Sequence, residues 1–266
     1  MKKIALADIP AAIDPHPDLN GSAVKMIIDR HTVGAHRGML SLAEFAPGGG
    51  HKLHRHSGAG QITYLLSGRA EHLTKNGPVP IKAGEAIYIR KNEWHGFRNT
   101  GKEKAVLLSL YSPAADHAEA GYESYTGEID TSEPPRVTRS SLADMQGDAA
   151  LDEDKGFVGL GVFWLATRDT VGTNDFLLGA STFDPGGIHE HHRHPKGDEF
   201  LFILEGGGDH LTPDSAVSLS AGEIAYIPAD EYHGFQNREG VLTRTLFGYF
   251  GPATLDEAGY QVREPA

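Results

Sequence analysis

The 266-residue chain carries 24 Lys and Arg against 36 Asp and Glu, a formal net charge of −12, which argues against nucleic acid or an anionic membrane as partner because both reward clustered cations. It has no cysteine, so disulfides, thiolate zinc sites and cysteine nucleophiles are excluded and any metal must be held by nitrogen and oxygen. Its 33 glycines and 15 prolines favour many short strands joined by turns over a helical fold.

The N-terminal stretch MKKIALADIPAAID has two lysines and a few apolar residues, but Asp8 and Pro10 interrupt it before it reaches the length of a secretory core. No run approaches the roughly 18 apolar residues of a membrane span, and a cytoplasmic location is expected. Further on, QITYLLSG from Gln61, EAIYIR from Glu85 and AVLLSLY from Ala105 are β-branched, aromatic and bounded by turn residues, so they predict strands of about four to eight residues. Residues 127–156 hold paired prolines, scattered charges and weak periodicity, which predicts a linker with a short helix over SSLADMQ. Strand-like runs resume with EFLFILEG from Glu199, EIAYIP from Glu223 and TRTLFGYF from Thr243.

The second set of runs repeats the first. FAPGGGHKLHRHSGAGQITYLLSG from Phe45 aligns with FDPGGIHEHHRHPKGDEFLFILEG from Phe183, an offset of 138 residues. The same offset carries GEAIYIRKNEWHGFRN at Gly84 onto GEIAYIPADEYHGFQN at Gly222, and EAGY at Glu119 onto EAGY at Glu257. A constant offset without insertion or deletion marks an internal duplication, since loops drift where indels are cheapest. The expected organisation is an N-terminal arm and barrel over 1–126, a linker over 127–156 and a second barrel over 157–266, all-β, each module closing into a small antiparallel barrel with room for one ligand or ion.

The offset also sorts the 15 histidines. His54, His56 and His95 map onto His192, His194 and His233; His51 and His72 map onto His189 and His210; His191 faces Leu53. His192 and His194 are two apart, which on a strand puts both imidazoles on one face. Glu199 follows a turn, and His233 comes from a separate strand. Three imidazoles and one carboxylate leave two positions of an octahedron open, which suits Fe(II), Mn(II) or Ni(II) better than a closed zinc site. His51 and His189, three residues before the first ligand, have the opposite parity and are expected to pack in the wall or at the surface. Glu190 shares the parity of His192 and His194 and is a candidate acid, base or extra ligand, though a solvated rim position competes, as it does for Lys52. His72 and His210 could line the cavity; Phe97 and Phe235 share the parity of His95 and His233 and are candidate apolar walls. Tyr88, Tyr226, Trp94 and Tyr232 are expected in the core.

These landmarks resemble the cupin superfamily, specifically its two-domain bicupins. Gly186, His192, His194, Glu199 and Gly206 match the first cupin motif, and Gly222, Pro228, His233 and Asn237 match the second, with Asp230 at a usual glycine. The first copy matches with Gly48, His54, His56, Gln61 and Gly68, then Gly84, His95 and Asn99, but Arg90 and Asn92 replace the usual Pro and Gly. The resemblance implies two tandem jelly-roll barrels and metal ligands His192, His194, Glu199 and His233, with His54, His56, Gln61 and His95 as a second set. Gln61 replaces a carboxylate by a neutral amide, so an ion there is held more weakly.

Cupins host many chemistries, so function must come from the site. The leading expectation is a non-haem dioxygenase-type oxidoreductase acting on a small oxygenated or aromatic compound, with Fe(II) or Mn(II) placed ahead of Ni(II) or Zn(II). Glu199 and Glu190 are the candidate catalytic carboxylates, and the C-terminal site is the principal one because it keeps the anionic ligand. The alternatives are a metal-dependent isomerase, lyase or aminohydrolase using Lewis acidity, or a non-catalytic small-molecule-binding bicupin. The expected partner is a small-molecule substrate, with the chain acting as monomer or homodimer.

Overall fold

The computed structural model describes residues 1–151 and 156–263. By contacts the chain divides into two units, Ile9–Ala143 and Met1–Asp8 together with Asp144–Ala266. Each is a barrel-like antiparallel sheet, as the duplication predicts, and the same strand order recurs in both.

In the first unit the strand Met39–Arg55 spans 17 residues. Its leading half pairs with Ala105–Ser112 and its trailing half with His95–Asn99, while Leu19–Ile28 runs along its other edge. Ala105–Ser112 continues the sheet through Gly60–Ser67 to Glu85–Ile89, and the hairpin Arg69–Thr74 with Gly77–Lys82 closes the far side. Phe45, Leu65, Ile87, Ile89, Phe97 and Leu107 fill the interior. The second unit repeats this around Phe176–Arg193, 18 residues long, with Phe183, Leu201, Ile203, Ile227, Phe235 and Phe247 inside.

These two strands are far longer than the expected four to eight residues. A register shift in each, between His51 and His54 and between His189 and His192, lets one continuous strand bend and exchange partners where two short strands were expected. The helices are single turns of four residues, such as His117–Ala120 and Leu255–Ala258. Asp230 and Asn92 both take positive φ, 69° and 63°, so the turn that glycine usually supplies is kept in both barrels.

The motif asparagines act as struts. The Asn237 side-chain amide donates to the carbonyls of Phe183 and Val241 and its oxygen accepts from Glu239 N–H; Asn99 does the same with Phe45, Glu103 and Gly101.

The units also group the chain differently from the boundaries drawn at 126 and 157. Lys2–Ala5 precedes the first barrel but pairs with Glu223–Ile227 of the second unit. Thr138–Ser141 precedes the second barrel but pairs with Glu85–Ile89 of the first. Each arm ends in a three-residue 3-10 turn with the sequence LAD, Leu6–Asp8 and Leu142–Asp144. The helix expected over SSLADMQ is therefore a strand and one tight turn: a free sheet edge offers its serines more hydrogen bonds than a seven-residue helix could sustain. Residues 152–155 of the expected linker lie outside the described residues.

Deletion of Met1–Asp8 uncovers the Glu223–Ile227 edge. The truncated protein is expected to melt at lower temperature and to self-associate at concentrations where the full chain does not, as read by calorimetry and light scattering.

Candidate metal centres

In the C-terminal barrel the bent strand delivers His192 just before its end and His194 just after it. Glu199 lies near the start of Asp198–Glu205, and His233 opens His233–Gln236. One ligand-type atom from each lies within 4.8 Å of all the others, and all four side chains are buried. His192 Nδ1 donates to the Glu190 carbonyl at 2.8 Å and His233 Nδ1 to the Glu231 carbonyl at 2.9 Å. Those bonds orient both rings from behind and, at His192, leave Nε2 as the free lone pair. His192 Nε2 is buried without a partner, while His233 Nε2 lies 2.9 Å from Glu199 Oε2. His194 Nε2 is 3.5 Å from the same carboxylate oxygen and 3.1 Å from the Tyr249 hydroxyl.

The N-terminal barrel repeats the arrangement with His54, His56 and His95, whose ligand-type atoms also lie within 4.8 Å of one another. Their Nδ1 atoms donate to the carbonyls of Lys52, Gly121 and Glu93 at 2.8, 2.7 and 2.9 Å. His56 Nε2 and His95 Nε2 are buried without partners. The Gln61 amide nitrogen donates to Thr63 Oγ1 at 2.7 Å and to Ser109 Oγ at 3.3 Å, so its oxygen is turned away from them and is buried unpartnered. Orphaned buried acceptors cost about 1–3 kcal/mol each. Several of them converging, with their tautomers fixed from behind, fit a divalent cation.

Burial depresses most of these imidazoles, so they stand neutral and ready to ligate. Burial takes His54 and His194 down to about 3, and it holds His95 and His192 well below the ordinary value with help from neighbouring histidines. His233 is the exception. Burial works to lower it, but the charge and hydrogen bond of Glu199 outweigh that and raise it.

The two cavities differ. The N-terminal one measures about 310 Å³ and the C-terminal one about 50 Å³. Ser41 and Ser109 of the first barrel correspond to Gly179 and Phe247 of the second, and the Phe247 ring fills the space; a Cβ at Gly179 would overlap it. The C-terminal cavity is also walled by Trp164, Leu160 and Leu255, whereas the N-terminal one has His16 and His117.

Two expectations are corrected. His51 and His189 do not pack away from the sites: the bulge before His54 and His192 turns them inward, where they stack on those rings at 3.8 and 4.1 Å. Glu190 is not among the four clustered side chains; its carboxylate accepts from the Tyr260 hydroxyl at 3.3 Å. Phe97, Phe235 and His210 line the cavities, while His72 is buried edge-on against Phe97. Tyr88 and Tyr226 are buried as expected; Trp94 and Tyr232 are half-exposed beneath Arg55 and Arg193. The residues missed were Tyr111, Tyr122, Tyr249 and Tyr260, which line the cavities in both copies. Their recurrence at the repeat offset was the available signal.

A family model described as the cupin domain matches residues 41–111 and again 179–247. The chain belongs to the cupin family. It is 30% identical over 117 residues to protein SchB of Streptomyces halstedii, covering 44% of this chain and 84% of that protein. It is 29% identical over 114 residues to the polyketide synthase protein CurC of Streptomyces cyaneus, 43% and 70% of the two chains. An oxalate-binding protein of Thermotoga maritima is 34% identical over 72 residues, 27% of this chain and 60% of its own. Among solved structures, the bicupin oxalate decarboxylase of Lactobacillus farciminis, a formate complex, superposes with a TM-score of 0.73 at 16% identity over 94% of this chain and 86% of that one. A glyoxylate-induced protein of Pseudomonas aeruginosa gives 0.72 at 16% over 92% and 87%. At that identity the superpositions speak for the fold. No helix among the described residues is long and apolar enough to cross a membrane.

The depressed histidines set the acid response of the metal-free protein. Their folded pKa values lie below the ordinary 6.5, so below that pH the unfolded chain binds more protons, and stability present above it is lost as pH falls. His233, raised, contributes in the opposite sense but is one group against several. Calorimetric melting temperatures of chelator-treated protein are expected to drop steadily from pH 7 to pH 5.

Proposed function

We propose that this bicupin is a metal-dependent enzyme whose principal centre is His192, His194, Glu199 and His233, acting by Lewis-acid chemistry on a small oxygen-bearing organic compound. The observation that carries the reading is the buried cluster of three imidazoles and one carboxylate, opening onto an apolar cavity. Mn(II) or Fe(II) suits this donor set, and Mn(II) is favoured by a fold neighbour, the oxalate decarboxylase of Bacillus subtilis, a protein with Mn(II) centres. When bound, such an ion polarises a substrate carbonyl or carboxylate oxygen.

The protein's own groups do the rest. Glu199 supplies the negative charge that retains the ion, which makes it a ligand and leaves it no free base function. Tyr249, whose hydroxyl burial and then Glu199 hold well above its ordinary pKa, stays protonated and can donate a hydrogen bond to a substrate oxygen. Phe247, Trp164 and Leu160 exclude water and restrict the site to a small substrate.

The relatives named as polyketide synthase proteins and as an oxalate binder favour oxygen-rich, chelating compounds and metal-assisted isomerisation or decarboxylation over the dioxygenase reading. The N-terminal centre, with neutral Gln61 and the larger cavity, is a second and weaker metal site.

Metal analysis of untagged protein is expected to find tight binding in the C-terminal barrel. Glu199→Gln should weaken Mn(II) binding at least about tenfold, and Gln61→Glu should strengthen it in the N-terminal barrel, since ligand charge tunes affinity. Glu199 raises the proton affinity of His233, whereas burial lowers that of the N-terminal histidines, so loading the C-terminal site is expected to displace more protons. Calorimetry in buffers of different ionisation enthalpy should therefore show greater proton release at the C-terminal site.

Turnover of oxalate or a β-dicarbonyl should continue under nitrogen. Strict dependence on dioxygen would overturn the Lewis-acid assignment and restore the oxidative one.

A further inference from the structure

Both barrels place the same three groups behind the first histidine of the metal cluster, but they draw one of the three from different segments, Asp18 in the turn before Leu19–Ile28 and Glu190 in the strand Phe176–Arg193. In the N-terminal barrel the Tyr122 hydroxyl donates to Asp18 Oδ2 at 3.0 Å and lies 3.0 Å from His51 Nε2. In the C-terminal barrel the Tyr260 hydroxyl donates to Glu190 Oε1 at 3.3 Å and lies 3.2 Å from His189 Nε2. A hydroxyl has one proton, and here it goes to the carboxylate. The histidine must therefore be the donor in the second bond, with its proton on Nε2. Burial and the adjacent carboxylate raise both tyrosines above their ordinary pKa, which keeps that proton in place.

The rings form a stack. His51 lies 3.8 Å from His54 at an interplanar angle of 24°, and Tyr122 lies 4.9 Å from His54 at 16°. His189 lies 4.1 Å from His192 at 29°, and Tyr260 lies 4.7 Å from His192 at 21°.

The carboxylates do not correspond in the repeat. Asp18 aligns with Gly156, and Glu190 aligns with Lys52. The paired positions are backbone neighbours in both barrels: Lys52 N–H donates to the Asp18 carbonyl at 2.8 Å and Glu190 N–H to the Gly156 carbonyl at 3.1 Å. A side chain on either partner can therefore reach the same tyrosine. Gly156 leaves the room that Glu190 fills, since a Cβ there would overlap the Glu190 carboxyl carbon. In the other barrel Lys52 pairs with Asp18 at 3.5 Å.

We propose that His51–Tyr122–Asp18 and His189–Tyr260–Glu190 are equivalent positioning triads that hold His54 and His192 in their ligating orientation, and that the two barrels exchanged the segment that supplies the carboxylate. The triads stand in the same relation to their clusters although only two of their three members are conserved between the copies. Glu190 is thus a positioning residue that acts through Tyr260 and His189. The proposal deepens the metal-centre reading and rests on it for the role of His54 and His192.

The test is a rescue in the N-terminal barrel. In metal-free protein, imidazole nitrogen NMR should show His51 and His189 protonated at Nε2. In Asp18→Gly the Tyr122 hydroxyl loses its acceptor and turns its proton to His51, which should shift to the Nδ1-protonated tautomer; adding Lys52→Glu should restore the Nε2 form. Co(II) affinity of that barrel should fall about tenfold in the single variant and recover in the double, the size of effect expected when a partner behind a metal ligand is lost. Tyr260→Phe removes one oxygen while keeping the stack, and it should free the Nε2 proton of His189 to exchange and weaken Co(II) binding at His192 similarly. An unchanged His51 tautomer in Asp18→Gly, or no recovery with Lys52→Glu, overturns the proposal. Wild-type protein that takes up no Co(II) overturns the metal reading itself, whereas uptake identical in all variants overturns the triads alone.

Discussion

Four imidazoles in this chain are held by one repeated bond. His54, His95, His192 and His233 each donate Nδ1–H to the carbonyl two residues earlier, at Lys52, Glu93, Glu190 and Glu231. The bond is short-range and needs only an extended backbone, so it forms as soon as the strand does. It sets the tautomer, points Nε2 into the barrel and leaves a lone pair where a cation can use it. A neutral ring buried this way is costly until something donates to or coordinates the other nitrogen. The barrels are scaffolds that make four such costs coincide in pairs.

From that shared plan the two copies diverge by a few substitutions with connected effects. Glu199 adds charge and raises the pKa of His233; Gln61 adds none and is steered by Thr63 and Ser109. Ser109 has a second duty as part of the polar wall of the larger cavity, and its counterpart Phe247 fills the smaller one. Charge and volume therefore changed together. The site with the anionic ligand-type side chain is also the tighter one, where a given electrostatic interaction is stronger.

The duplicated histidines could be read from a constant offset, which converts sequence into structural equivalence; the all-β class came from turn residues and short β-branched runs, and the motif asparagines from the cupin resemblance. Strand parity succeeded for His192 and His194 and failed for His189, since one extra residue in a bulge reverses which face a side chain takes. The carboxylate of each triad could not be found by alignment: function was kept at a point in space while the residue moved between neighbouring segments. Nor could the pairing of Lys2–Ala5 with Glu223–Ile227 be anticipated, because four-residue edge strands carry little pattern and the pairing spans most of the chain.

That pairing also orders the protein's birth. The first barrel's edge strand, Thr138–Ser141, follows it closely from the ribosome. The second barrel's edge strand, Lys2–Ala5, is made long before that barrel and must wait until Ile227 has emerged before its partner is complete. Until then Lys2–Ala5 has no such edge to join, and its docking is a long-range closure of the second sheet. A substitution within Lys2–Ala5 consequently acts on a seam whose two sides are separated by most of the chain.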